Sequence, residues 1–299
     1  MELGFIGTGT MGLPMVTQLS KAGHRIRAFD LSPNALNAAA QLEGVTPTTS
    51  PAQAASGAQV LITCLPNDAV VRETYLGAKG VLTGGDSGLI TCDASTVTPE
   101  TTLAVAAGLH ARGIRHMDIP MLGSQPQAIS GELFFIVGGD ASDLEVIKPL
   151  LVSMGRMHMA VGALGMGNRI KLIHNALGAV NAVAVAESLA LCLQTEVDPT
   201  TFYEVVRKGG GMAYSTYFER RVARMIGGDF SPTFTAALMH KDVSLAKNMA
   251  EGMGLRLPIL EEAQRTYTEA VERGWGGEDF SAVTHVMEQR MGHKISGKG

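Results

Sequence analysis

The segment NRIKLIHNALG at residues 168–178 carries three chemically useful side chains on an otherwise apolar, helical stretch. On a helix, Lys171 and Asn175 lie one turn apart, and His174 follows the lysine by three residues. Burying a lysine or an asparagine without partners is costly, so this set indicates a site rather than a plain core helix. We expect Lys171 to exchange a proton with a substrate oxygen that Asn175 holds in place, in a cleft between two domains.

A structural interpretation of the same side chains stays open. The Lys171 stem can pack along the helix while its ammonium reaches water, without a catalytic role. His174 is interpreted as a hydrogen-bonded residue that borders the substrate site, because the lysine already supplies the proton transfer. The choice depends on the elements that position this helix.

A glycine-rich turn near the N-terminus indicates the cofactor. GFIGTGTMGLPM has Gly7, Gly9 and Gly12 in the spacing GxGxxG, directly after an apolar strand and at the start of a helix. Gly7 permits a tight turn, Gly9 lets the backbone approach a pyrophosphate, and Gly12 allows close helix packing. The residues between them complete the predicted cofactor contacts at the helix N-terminus: Thr8, Thr10 and Met11.

The acid at the end of the second strand indicates which dinucleotide binds. Asp30 lies 18 residues after Gly12, where a carboxylate accepts hydrogen bonds from the adenosine ribose and repels a 2′-phosphate. We therefore predict NAD rather than NADP. The alternative, that Asp30 only caps the next helix, is weakened by Ser32, which directly precedes Pro33 and is the better-placed cap.

The composition restricts the class of partner. The chain has 299 residues, 45% of them hydrophobic, which suffices for two domains with separate cores. Its formal net charge is −4 and its basic residues are dispersed, so we expect no nucleic-acid partner and favour a small soluble ligand. The apolar stretch 176–193 is interrupted by Asn181, Glu187 and Ser188, which favours a buried helix over a membrane span.

The N-terminus and the cysteines predict the compartment. MELGFIG enters an apolar strand with no basic region or cleavage site, so we expect no secretory signal and a cytoplasmic protein. The cysteines are far apart and lack metal-binding spacing, so we expect reduced core residues and no metal site: Cys64, Cys92 and Cys192.

The order of elements predicts an α/β fold followed by an all-helical domain. Short β-branched runs alternate with amphipathic helices up to about residue 162, which is typical of βαβ units and a mostly parallel, Rossmann-type sheet. From residue 166 onward we expect only helices, at 166–195, 198–208, 215–226, 233–253, 258–273 and 279–290. The predicted domains are an NAD-binding domain at 1–162, a helical substrate and oligomerisation domain at 163–292, and a disordered tail at 293–299.

Six motifs, in order, are similar to those of a known family. They are GFIGTGTMGLPM at 4–15, CLPND at 64–68, DAST at 93–96, DIPMLGS at 118–124, GMGNRIKLIHN at 165–175 and MHKDV at 239–243. With them the chain resembles the β-hydroxyacid dehydrogenase family over nearly its whole length. The overall pattern looks closest to its sulfolactaldehyde or γ-hydroxybutyrate reductase branch.

The resemblance implies roles for matched residues. The catalytic lysine of the family falls on Lys171 and its substrate-orienting asparagine on Asn175. The resemblance further implies nucleotide and nicotinamide-ribose contacts at Leu65, Pro66 and Thr96, and a cofactor contact from the helical domain at Lys241.

The substrate loop departs from the family pattern Asp-x-Pro-x-Ser-Gly-Gly. Asp118, Pro120 and Gly123 match it, but Leu122 replaces the serine and Ser124 replaces the second glycine. Backbone donors for the acid group of the substrate can survive this change, while a side-chain donor is lost at position 122 and can be regained at Ser124. In the sulfolactaldehyde branch the loop carries an arginine where this chain has Gly123, so the resemblance does not extend to sulfonate recognition.

These observations predict an NAD-dependent oxidoreductase that interconverts a small β-hydroxy acid, or a related short hydroxy acid, and its semialdehyde. Two alternatives stay open: a reductase of another C=X bond such as an imine, and a non-catalytic NAD-binding protein on the same fold. The apolar faces of the helical domain, together with the resemblance, predict a homodimer or homotetramer.

Overall fold

The computed structural model describes residues 1–295, within which nine strands form one sheet. The strands are β1 (Glu2–Ile6), β2 (Arg25–Phe29), β3 (Val45–Pro47), β4 (Val60–Thr63), β5 (Ile90–Asp93), β6 (Arg115–Asp118), β7 (Met121–Leu122), β8 (Leu133–Gly138) and β9 (Gly155–Gly162). Their order is β3-β2-β1-β4-β5-β6-β8-β7, with β9 paired to β8. The strands from β3 to β6 in this order are parallel, so their carboxyl ends meet at one edge.

Helices cover both faces of this sheet. They are α1 (Gly12–Lys21), α2 (Pro33–Ala39), α3 (Pro51–Ala55), α4 (Asp68–Leu76), α5 (Val81–Gly84), α6 (Pro99–His110), α7 (Gln125–Ser130) and α8 (Ala141–Met154). Side chains alternate along the strands, so Val60 and Ile62 join one apolar cluster while Leu61 joins a second one. The predicted Rossmann-type domain is confirmed.

Two short strands escape prediction from the sequence. β3 has only three residues, one of them Pro47, and lies at the end of the strand order, where the missing N–H of proline is tolerated. β7 has two residues, too few for any alternating pattern.

The rest of the described chain is helical. It contains α9 (Met166–Gln194), α10 (Pro199–Gly209), α11 (Thr216–Gly227), α12 (Ala236–Gly252), α13 (Pro258–Glu272) and α14 (Val283–Met291), with 3-10 turns at Trp275–Gly277 and Phe280–Ala282. The chain divides into two compact units, one ending at Lys171 and one beginning at Leu172, and α9 runs from the first into the second. We call them unit 1 and unit 2.

Helix α9 is the one described helix that is long and apolar enough to cross a membrane. Its buried side chains belong to the apolar core of unit 2 and repeat at helical spacing: Leu172, Ala179, Ala182, Ala186 and Leu189. We therefore assign α9 as the core helix of unit 2.

The C-terminal part of unit 2 is held by polar contacts as well as by its core. His285 lies 3.0 Å from the Glu278 carboxylate and 2.9 Å from that of Glu288. Beyond α14, Ile295 is fully buried and its N–H donates to Glu288 Oε1 at 2.8 Å. The remainder of the predicted disordered tail, 296–299, lies outside the described residues.

Candidate active site

The glycine-rich turn between β1 and α1 has the geometry that its spacing predicts. Gly7 has a φ of +93°, and a Cβ there would lie 2.2 Å from the Cys64 carbonyl oxygen. A Cβ on Gly12 would lie 1.8 Å from the Gly7 carbonyl oxygen. At Gly9, by contrast, a Cβ would have nothing within 4 Å. Gly7 and Gly12 are therefore required by the protein itself, whereas Gly9 leaves open space above the backbone.

That open space fits a dinucleotide pyrophosphate. Within the described chain no side chain caps the N-terminus of α1, although Asn67 caps α4 and Thr98 caps α6 in the same unit. An uncapped helix N-terminus presents backbone N–H groups and a positive dipole end to an anion. Thr8, Gly9, Thr10 and Met11 form this turn, with Thr8 buried and Gly9 and Thr10 exposed.

Asp30 follows β2 and supports the same turn. Its Oδ2 accepts the Thr8 N–H at 2.7 Å, and its Oδ1 accepts the Ser32 N–H at 2.7 Å. Ser32 is the N-cap of α2, with its hydroxyl oxygen accepting from the Ala35 N–H. Asp30 is therefore not the cap of the next helix, and its half-buried carboxylate stands beside the glycine-rich turn.

The loops after β4 and β5 are joined to each other. The Leu65 N–H donates to Ser95 Oγ at 2.8 Å, and the Ser95 N–H donates to Asp93 Oδ1 at 3.0 Å. The Thr63 hydroxyl donates to the same Asp93 oxygen at 2.8 Å. Burial raises the pKa of Asp93, although the hydrogen bonds from Ser95 and Thr63 oppose the rise. The structure thus brings the predicted cofactor residues Leu65, Pro66 and Thr96 to neighbouring strand ends.

The first turn of α9 is hydrogen-bonded to the end of β6 and to the loop after β5. Asp118, the last residue of β6, accepts the Gly165 N–H on Oδ1 and the Asn168 N–H on Oδ2, each at 2.7 Å. The Asn168 side chain accepts from the Val97 N–H at 3.2 Å and donates to Thr102 Oγ1 at 3.2 Å. Lys171 is the third residue after Asn168 on the same helix and is half-buried.

In the predicted substrate loop, the polar side chains of Ser124 and Gln127 are hydrogen-bonded to each other. The Ser124 hydroxyl donates to Gln127 Oε1 at 2.8 Å, and the Ser124 N–H donates to the same oxygen at 2.9 Å. Gly123 is exposed with a φ of +121°, and Leu122 is half-buried in β7. The donor expected to be regained at Ser124 is therefore bound to Gln127, because the pair closes the first turn of α7.

The remaining predicted residues cluster in unit 2. Asn175 is buried, and its Nδ2 donates to Asp242 Oδ2 at 2.5 Å. His174 is exposed, with its Nδ1 lying 3.1 Å from the Asn175 side-chain oxygen. Lys241 Nζ lies 3.0 Å from the buried Asp242 carboxylate. The amide of Asn175 is thus held from two sides, and Lys241 and Asn175 share the Asp242 carboxylate.

The sequence does not predict the hydrogen bonds of three buried polar residues: Asp118, Asn168 and Asp242. Each lies inside a motif that the sequence singles out, but its partner is distant along the chain. The sequence holds one signal that α9 is capped from elsewhere, because the residues before it, GALG, contain no Ser, Thr, Asp or Asn.

The sequence predicts no metal site. Among residues 1–295, no group of three or more potential ligands is placed to hold an ion.

Comparisons with known proteins cover nearly the whole chain. Residues 2–165 match the family model of the NAD binding domain of 6-phosphogluconate dehydrogenase, and residues 165–287 match the model described as NAD-binding of NADP-dependent 3-hydroxyisobutyrate dehydrogenase. The 3-sulfolactaldehyde reductase of Escherichia coli is 34% identical over 97% of both chains. The 2-(hydroxymethyl)glutarate dehydrogenase of Eubacterium barkeri is 33% identical over 99% of this chain and 98% of its own. The solved structure of Mycobacterium tuberculosis 3-hydroxyisobutyrate dehydrogenase with L-serine is 31% identical, with a TM-score of 0.88, over 96% of this chain and 98% of its own.

Proposed function

Because the chain belongs to the β-hydroxyacid dehydrogenase family, we propose that Lys171 is the general acid/base of its reaction and that Asn175 orients the substrate oxygen. The reaction is the NAD-dependent interconversion of a small hydroxy acid and its semialdehyde. One observation carries the proposal: Lys171 follows Asn168 by three residues, and Asn168 is hydrogen-bonded to Val97 in the loop after β5 and to Asp118 at the end of β6. That connection anchors the lysine to the strand ends where the predicted cofactor contacts lie.

The residues divide the chemistry as follows. When NAD is bound in the glycine-rich turn, it accepts or supplies the hydride. Lys171 removes the hydroxyl proton during oxidation and returns a proton to the carbonyl oxygen during reduction. Asn175 has two amide hydrogens, of which one is directed at Asp242, so its other N–H is assigned to the substrate oxygen. A fixed amide lowers the entropic cost of aligning this oxygen with Lys171.

We assign the acid group of the substrate to the loop of residues 122–127. Leu122 has no hydroxyl, and both the Ser124 hydroxyl and the Ser124 N–H are bound to Gln127. We therefore assign recognition to the backbone N–H of Gly123 and to the Gln127 amide nitrogen. These donors are neutral, which suits a planar carboxylate held by a few hydrogen bonds. We therefore expect carboxylate substrates to be preferred over sulfonates.

The test is a set of initial rates with NAD⁺ and NADP⁺ across small hydroxy acids, including 3-hydroxyisobutyrate, glycerate, γ-hydroxybutyrate, L-serine and 2,3-dihydroxypropanesulfonate. We expect turnover with NAD⁺ and at least one carboxylate, a loss of about 100-fold or more in Lys171→Ala, and wild-type rates in the surface control Lys79→Ala. Full activity of Lys171→Ala would refute the general acid/base role. NADH binding without turnover of any hydroxy acid would favour imine reduction or a non-catalytic protein.

The loop assignment has its own test. Leu122→Ser restores the hydroxyl of the family pattern, and we expect it to lower KM for the preferred carboxylate by about threefold to tenfold, the value of one added hydrogen bond. The matched control Leu255→Ser changes an exposed leucine in unit 2. An unchanged KM in Leu122→Ser would remove the loop from the acid-group site.

We further propose a cytoplasmic homo-oligomer, either a dimer or a tetramer. Helix α9 exposes large apolar side chains on one side, with 60% of Ile173, 63% of Leu177 and 63% of Leu191 accessible. A second copy of the chain would cover this row. The three cysteines are free, which suits a reducing compartment. Sedimentation that shows only monomer at micromolar concentration would contradict the oligomer.

A further inference from the structure

We propose that Asp118 positions Lys171 by capping helix α9 from a neighbouring strand, an inference that rests on the proposed role of Lys171. Asp118 is the last residue of β6, and α9 begins 48 residues later at Met166. The inference assigns Asp118 as a positioning residue that acts through the helix.

Helix α9 cannot supply its own cap. The residue before its first turn is Gly165, which has a φ of +87° and no side chain. The first N–H groups of a helix need acceptors, and an N-cap side chain ordinarily accepts from the second or third helical residue. Asn168 is the third residue of α9, and its N–H donates to Asp118 Oδ2 at 2.7 Å. The Gly165 N–H donates to the other oxygen of the same carboxylate.

The carboxylate has little room to move. Asp118 is fully buried. A Cβ on Gly138 would lie 2.3 Å from its Oδ1, and a Cβ on Gly167 would lie 2.8 Å from its Oδ2. Glycine at these two positions therefore lets β8 and the start of α9 close on the carboxylate, which holds the first turn of the helix in one place.

Asn168 secures the same turn from another direction. Its side chain bonds the Val97 N–H in the loop after β5 and the Thr102 hydroxyl in α6. Both Asn168 and Thr102 are fully buried. The main chain of Asn168 is thus held by Asp118 at the end of β6, and its side chain by the loop after β5 and by α6.

These anchors determine where Lys171 stands. Lys171 is three residues beyond Asn168, a little less than one turn, so any shift of the first turn moves the lysine with it. Asp118 is also the residue from which the substrate loop departs, but its carboxylate acts on the helix, through the N–H groups of Gly165 and Asn168. A misplacement of about 1 Å in an active site can cost about 100-fold in rate.

The experiment compares Asp118→Asn with the wild-type enzyme, in the full chain. Asparagine keeps the size of the side chain but replaces one accepting oxygen with a donor that faces an N–H. We expect kcat to fall by about 10-fold to 100-fold while the dissociation constant of NADH stays within about twofold. The matched control is Asp140→Asn, the N-cap of α8 in the same unit, for which we expect wild-type kcat. An equal kcat for Asp118→Asn and wild type would overturn the proposal.

A double variant separates this proposal from the role of Lys171. If Asp118 acts through the lysine, Asp118→Asn has little further effect on kcat in a Lys171→Ala background. An equal loss from Asp118→Asn in both backgrounds would overturn the positioning role. Full activity of Lys171→Ala would instead refute the general acid/base itself, so the two failures are distinguishable.

A milder variant keeps the test available if Asp118→Asn does not fold. Thr102→Val removes the hydroxyl that accepts from Asn168 Nδ2 and keeps the side-chain shape. We expect a fall in kcat of about threefold to tenfold and a displaced pH profile of kcat, with NADH binding intact. The same kcat and the same pH profile as wild type would count against the anchored turn.

Discussion

The glycine-rich turn offers a test in which cofactor binding and protein stability separate. Gly9→Ala adds a methyl group that meets no protein atom within 4 Å, and Gly9 is not among the glycines with positive φ. The substitution removes backbone freedom from the unfolded chain, so we expect the cofactor-free protein to gain about 0.4–1 kcal/mol of unfolding free energy. The added methyl group projects into the space that we assign to the pyrophosphate.

The loss of affinity can be estimated from the cost of overpacking. An extra methyl group in a close contact typically costs about 1–3 kcal/mol. This range corresponds to an increase of about 5-fold to 150-fold in the dissociation constant of NADH. The assay is a fluorescence titration with NADH, paired with thermal unfolding of the cofactor-free protein.

Two other glycines provide the comparison. Gly12→Ala would place its Cβ 1.8 Å from the Gly7 carbonyl oxygen. We therefore expect this variant to lower the thermal unfolding temperature of the cofactor-free protein, which Gly9→Ala does not. Gly252→Ala at the end of α12 also meets nothing within 4 Å, and we expect it to leave NADH affinity unchanged. Wild-type affinity in Gly9→Ala would refute the approach of the pyrophosphate to this turn.

Three further outcomes follow from the described contacts. Asp30→Ser should lower the NAD⁺ to NADP⁺ ratio of kcat/KM by about tenfold, since it removes the carboxylate that repels a 2′-phosphate; an unchanged ratio in initial-rate measurements would contradict that role. Asp242→Asn should lower kcat by about tenfold with NADH affinity retained, because Asn175 loses its charged acceptor, whereas a change in affinity alone would assign Asp242 to the cofactor. Burial opposes the charged form of His285, but its two glutamate partners outweigh burial and raise its pKa, so its stabilising contribution is present below pH about 6.5 and lost as pH rises through the raised pKa. Urea unfolding should therefore show wild type losing more stability than His285→Gln between about pH 6 and pH 8, and equal losses would contradict the ion pairs.

The elements that the sequence predicts well are those with a strong local signal. The helix predicted at 166–195 is observed at Met166–Gln194, because apolar residues recur at helical spacing throughout it. The turn at Gly7 is equally local, since its strand, its glycine spacing and its helix are adjacent in the chain. The position of Ser32 directly before Pro33 predicts a cap, and its hydroxyl oxygen accepts the Ala35 N–H as a cap does.

The parts of the site that the sequence does not predict are those held by distant partners. Asp118 and Asn168 are 50 residues apart, and nothing in either motif indicates that one caps the helix of the other. The Asn175 amide is likewise held by Asp242, 67 residues away. Ser124 shows the reverse case: the sequence offers its hydroxyl to the substrate, but Gln127, only three residues away, takes it because the two close a helix turn. In the two long-range cases hydrogen bonding is decided by packing, which a linear pattern does not encode, whereas the Ser124–Gln127 pair has the local spacing of a capping box.

The continuity of α9 determines where this chain can be recombined with its relatives. A crossover at the end of β9, near residue 162, looks convenient because the last strand ends there. It would take Thr102 from one parent and its partner Asn168 from the other, and a buried side-chain amide that loses its hydroxyl acceptor is destabilising. A crossover after residue 171 keeps the strand, the capped turn and the lysine in one inherited block. Chimeras joined there should fold more often than those joined at the strand end.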